Sequence, residues 1–182
     1  MELTYWHRFA YMYLAKELDI AEIVKVWMIN TYAGVIEDDT EKLIGINVLD
    51  NSLLNEALIL GMLKAYPDGQ PLKYGDLATI MDKHYNTIGN AVKRMLEKGY
   101  LDKQGVSQNG SIYTVVDDSH LPQWIVDFTA AIVEIETNPD VKKTVFDACK
   151  DIGFKRGLQV LKWEILEKFK ISDRVKNKPD DD

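Results

Sequence analysis

Asn86, Thr87, Asn90, Lys93 and Arg94 lie close together along the chain, interleaved with Ile88, Val92, Met95 and Leu96. The apolar members follow one another at spacings of 4, 3 and 1, which gathers them on one stripe of a helix. With that stripe turned inward, the polar set faces outward near the helix start. An asparagine amide can pair with two atoms of an adenine edge. A threonine can meet a thymine methyl or a phosphate, and lysine or arginine can reach guanine or the backbone. The helix N-terminus itself favours an approaching phosphate. These residue types suit the major groove of a duplex. Lys83 ahead of the helix, with Lys98 and Lys103 behind it, are candidate phosphate contacts. Each lysine alone is an ordinary solvated charge, and their value lies in falling on one element.

Other chemistries find little support. There is no Gly-x-x-x-x-Gly-Lys loop, Gly-x-Ser-x-Gly elbow, His-Glu-x-x-His pair or Cys-x-x-Cys motif. The expectation is therefore a protein that is not an enzyme and uses no cofactor. Cys149, the single cysteine, cannot form an intrachain disulfide and reads as a packing residue. His7 and His120 lack ligand partners at metal-binding spacing, so no metal is expected. Asp117, Asp118 and His120 read more simply as a helix-capping cluster than as a metal site. His84 suits either a phosphate contact or a plain turn.

The elements needed to present this helix are legible in outline. Helical spacing marks 3–18 and 20–33, with Asp19 as a cap between them. An acidic connection over 34–51 follows, with a candidate short strand at Leu43–Val48. Ser52 is placed to cap a helix over about 53–66, and Pro67-Asp68-Gly69 makes a turn. Helices at 73–81 and 86–98 come next, the second ending at Gly99. Tyr100–Gln104 and Ser111–Val116 read as strands joined by a Gly105–Gly110 turn. Ser119 is expected to cap a helix that has Pro122 in its opening turn and runs to about Thr137. Asn138-Pro139 starts another that ends near Gly153, and a last helix covers about 155–171.

The chain thus reads as mainly α: a winged helix-turn-helix core, a two-stranded β-wing, and flanking N- and C-terminal helices. The expected organisation is an N-terminal helical and acidic region over 1–51 and a winged unit over 52–118. A C-terminal helical dimerisation region over 119–176 and an acidic tail over 177–182 complete it.

Charge distribution agrees with that placement. The net charge is −7, yet residues 72–116 carry 6 basic against 4 acidic side chains, while the flanking parts are net negative. A hydrophobic fraction of 46% suffices for a core. No apolar run reaches the ~20 residues of a membrane span, and the N-terminal residues do not resemble a secretory signal. A cytoplasmic protein without membrane contact is expected.

The central stretch resembles winged-helix regulators of the MarR and PadR type. The similar positions are Leu77-Ala78, Thr87-Ile88, and Lys93-Arg94-Met95-Leu96-Glu97-Lys98-Gly99-Tyr100-Leu101. Upstream, Glu56-Ala57-Leu58-Ile59-Leu60-Gly61-Met62-Leu63 looks like the helix that opens the PadR-type domain, whereas two preceding helices suit MarR better. The resemblance implies a dimeric transcriptional regulator, often a repressor controlled by a small-molecule effector. It departs from the MarR pattern at the wing tip. There the basic residue is missing, leaving Ser107, Gln108 and Asn109 for polar or phosphate contacts.

Apolar stripes at Leu121, Trp124/Ile125, Phe128, Ile132 and Ile135, and at Leu158, Leu161, Ile165 and Phe169, need a covering surface. A second copy of the chain is the expected supplier, which would also set two reading helices one DNA turn apart. The alternative is a winged-helix adaptor in a replication or phage assembly, favoured by the acidic N-terminal third.

Overall fold

The computed structural model describes residues 3–24, 50–67, 72–107 and 110–150. Its elements are α1 (Tyr5–Leu14), α2 (Asn51–Ala65), α3 (Tyr74–Met81), α4 (Tyr85–Glu97), β1 (Leu101–Ser107), β2 (Gly110–Val115), α5 (Gln123–Thr137) and α6 (Pro139–Lys150). Residues 20–24 are also helical. The protein is mainly helical, with one small antiparallel sheet of β1 and β2. The expected central order of three helices and two strands is present. The remainder of the 20–33 helix, the Leu43–Val48 strand, Asp68-Gly69, and everything expected beyond 150 lie outside the described residues.

The core is organised around α2. Every position from Leu54 to Met62 is buried, so this stretch of the helix has no solvent face and must be surrounded by other elements. It packs on α4, β2 and α5. The α5 contact is tight at Gly61, where a Cβ would stand 2.6 Å from Thr129 Oγ1. Thr129 is itself buried and donates its hydroxyl to the Ile125 carbonyl at 2.7 Å.

α1 also packs on α5. Trp6 stacks on Trp124 with ring centroids 6.4 Å apart, and the edges of Trp6 and Tyr13 meet Phe128. Trp124, Ile125, Phe128, Ile132 and Ile135 are all buried in the single chain. The first apolar stripe is therefore covered by α1 and α2. It does not call for a second copy, because a stripe that wide is satisfied by any two complementary faces.

Helix starts differ from the sequence reading where a stronger acceptor lies nearby. Asp50, not Ser52, caps α2: its carboxylate accepts from the Ser52 and Leu53 amides at 3.0 and 3.2 Å. Ser119 does not cap α5. It donates its amide and hydroxyl to Asp117, and the helix begins at Gln123 behind Pro122. Asp19 accepts from the Glu22 amide, as expected of a cap. Asn138 accepts from the Asp140 and Val141 amides, with Pro139 in the first helical position. α1 stops at Leu14, short of the expected 18, and Lys16 takes a left-handed φ of 59°.

Candidate nucleic-acid interface

The turn between α3 and α4 is built by three successive residues. Asp82 adopts φ 53°, and the Lys83 amide donates back to the Ala78 carbonyl at 3.0 Å. His84 then caps α4, its Nδ1 accepting the Asn86 amide at 3.1 Å. This bond gives His84 the turn role among its two expected ones. In the neutral ring it also leaves the proton on Nε2.

α4 turns Ile88, Ala91, Val92 and Met95 into the core. Asn86, Asn90 and Lys93 are exposed, and Thr87 is half-buried among them. Lys83 is exposed at the turn and Lys103 on β1. Six of the expected contact residues thus lie at the surface along the start of α4 and its two flanks.

Arg94 and Lys98 are placed differently. Arg94 Nε donates to one carboxylate oxygen of Glu56 at 2.8 Å, and Lys98 Nζ to the other at 2.9 Å. The Glu56 side chain is only 8% exposed, whereas its two partners are 39% and 40% exposed. A carboxylate inside the buried stretch of α2 needs such partners, since an isolated charge there costs several kcal/mol. Both cations are engaged in bracing α4 against α2. A lone glutamate within Leu53–Leu63 was the available sequence signal, because buried carboxylates almost always have cationic or hydrogen-bonded partners.

α4 ends as expected at Gly99, which takes φ 77°. The Gly99 amide donates to the Leu96 carbonyl at 3.2 Å and the Tyr100 amide to Met95 at 2.9 Å. The chain then turns directly into β1.

The hairpin is longer than the spacing suggested. β1 continues through Gly105 to Ser107, and β2 starts at Gly110. Lys103 pairs with Tyr113 and Gly105 with Ile112, so Gln104 is an inserted residue. Gly105 takes φ 150°, a conformation open to glycine, and the ladder resumes beyond it. Ser107 therefore ends a strand instead of lying in a broad turn. Gln108 and Asn109 lie outside the described residues.

Three tyrosines connect the helices to the hairpin. The Tyr74 and Tyr113 hydroxyls are 2.6 Å apart and their rings stack at 6.0 Å. Tyr85, at the start of α4, meets Tyr74 edge-on at 5.6 Å. Burial, then the hydrogen bond to Tyr113, pushes the Tyr74 phenol well above the usual tyrosine range. Residues 39 apart carry no periodic signal of such a contact.

The remaining candidates have partners. His7 Nδ1 accepts the Thr4 amide at 3.1 Å, so Nε2 donates to Glu134 at 2.9 Å, joining α1 to α5. His120 stacks on Tyr100 at 4.2 Å, and Asp118 pairs with Lys64. Among the described residues no group of three or more His, Cys, Asp or Glu side chains is arranged to hold a metal. No described helix is long and apolar enough to cross a membrane.

Comparison with protein-family models, with curated proteins and with solved structures finds no match to this chain.

Proposed function

We propose that the protein is a winged helix-turn-helix regulator that binds double-stranded DNA through the first half of α4. The carrying observation is the uncovered polar face of that helix, with Asn86, Asn90 and Lys93 exposed above a fully buried apolar back. Asn86, Thr87 and Asn90 would read base edges, with Lys93 serving bases or backbone. Lys83 and Lys103 would hold phosphates on either side, and the wing tip at Ser107, Gln108 and Asn109 would graze the groove. Arg94 and Lys98 belong to the brace beneath the reading surface. A homodimer joined through terminal helices would present two such helices to a palindrome, acting as a repressor.

Glu56 favours a second reading. By engaging two of the six basic residues of 72–116, it leaves a surface of little net charge. That suits a winged-helix adaptor that meets protein partners.

Fluorescence anisotropy with random duplexes at several salt concentrations separates the two. Three phosphate contacts predict that log K falls with log salt at a slope of about −3 per protomer. An adaptor shows no salt-sensitive DNA binding. Light scattering tests the dimer independently.

A further inference from the structure

A cavity of about 220 Å³ opens where the end of α1, the start of α2 and the end of α3 meet. Leu18, Leu54, Leu58 and Met81 give it an aliphatic wall, and three uncharged polar residues, Tyr13, Asn51 and Asn55, also line it.

Asn55 is the informative one. It is 8% exposed, and no described group hydrogen-bonds its side-chain amide. The side chain lines the cavity and its amide atoms are not sealed from solvent, so they pair with whatever fills the cavity. Asparagine is also a weak helix former, here inside a helix otherwise dominated by leucine, isoleucine and alanine. A leucine at this position would be the better helix former. The amide is thus available to a ligand that enters the cavity and displaces solvent.

Tyr13 supplies a second polar group. Its ring is fixed edge-on against Phe128 at 5.5 Å. Burial, reinforced by the Asp82 carboxylate, raises its phenol far above the usual range, so it stays a neutral donor.

The edge of the cavity is electrically balanced. Lys16 and Asp82 both line it, both have left-handed backbone, and they form an ion pair at 2.9 Å. Both are helix-terminating positions, Asp82 the C-cap of α3 and Lys16 just past the end of α1. The charged lining residues are two lysines, Lys16 and Lys83, and two aspartates, Asp19 and Asp82. No net charge awaits a charged ligand.

We infer that this cavity binds an uncharged, planar heterocycle with a lactam-type edge. The ligand N–H and C=O pair with the Asn55 carboxamide, which offers one acceptor and one donor in a plane. The Tyr13 hydroxyl supplies a further donor, and the ring lies against the aliphatic wall. The site adjoins the turn that leads into α4, yet the assignment does not depend on α4 meeting DNA.

The test uses the full chain and two probes: 2-quinolinone, and quinoline, which keeps the ring shape without the lactam edge. Calorimetry and NMR titration should show saturable 2-quinolinone binding, with quinoline at least about tenfold weaker. Asn55→Leu should weaken 2-quinolinone by at least about tenfold while the melting temperature holds or rises, since no partner among the described residues is lost. Tyr13→Phe should weaken it about threefold to tenfold. Three results overturn the assignment: no saturable 2-quinolinone binding by the parent protein, undiminished binding by Asn55→Leu, or a fall in the melting temperature of Asn55→Leu. The last would show that the amide is already satisfied within the protein.

Discussion

Lys93 and Arg94 are neighbours on α4, yet Lys93 stands in solvent while Arg94 reaches back to Glu56. Lys98, one turn further on, joins Arg94 on the same carboxylate. The first half of the helix carries uncharged polar side chains at the surface, and the second half is fastened from below. On the proposed reading, α4 would need to be held rigidly to meet DNA, and the restraint sits on the turns that do not face outward. Residue type did not separate the two roles. Position around the helix relative to α2 did.

The largest effect should come from breaking the brace. Removing both cations with Arg94→Met and Lys98→Met leaves the Glu56 carboxylate buried and alone. This should cost about 3 kcal/mol in urea denaturation. That figure is at the lower end for a buried pair, because both cations are already about two-fifths exposed and water can replace part of what they supply. A loss under about 0.5 kcal/mol would make the two halves of α4 equivalent.

The opposite half should behave in reverse. Asn90→Ala should leave stability within about 0.5 kcal/mol but cost about 1–3 kcal/mol of discrimination at one base position in duplex selection. Unchanged sequence preference would remove Asn90 from the reading surface. At the far end of the helix, Gly99→Ala places a Cβ in left-handed backbone and should cost about 1 kcal/mol in the same denaturation experiment. Its surroundings are open, so the whole effect is conformational. Lys93→Ala should weaken binding to all duplexes alike and reduce the salt slope by about 1.

The smallest effect sharpens the contrast between a buried bridge and an exposed one. The hydrogen bond and charge of Lys64 hold the Asp118 carboxyl below its ordinary range. Its folded value is depressed, so its contribution is fully present above the ordinary carboxyl pKa and fades as pH falls through the depressed value. NMR titration should place the Asp118 midpoint below that of a free aspartate, and Lys64→Met should return it. Global stability should barely move, because the group is exposed.

Much of the frame was legible in one dimension. The stripe of Ile88, Val92 and Met95, the glycine stop at Gly99, the Asn138-Pro139 start and the helix–strand order all follow from local periodicity and backbone chemistry. Local reading failed where two local solutions competed, as with Asp50 against Ser52, or where one residue changed the count. Gln104 and Gly105 lengthened the hairpin strands in that way, since an inserted residue lets a ladder continue past a glycine that otherwise reads as a turn.

The sequence alone determined which faces had to be hidden, because apolar spacing at the helical period leaves no other outcome. Only the tertiary structure decided what hides them. The stripe on α5 is covered by α1 and α2 of its own chain, and Glu56 meets cations 38 and 42 residues away. Such pairings depend on the angle and distance at which helices cross. Those are set by the whole packed core, down to the missing Cβ at Gly61, and no local pattern encodes them.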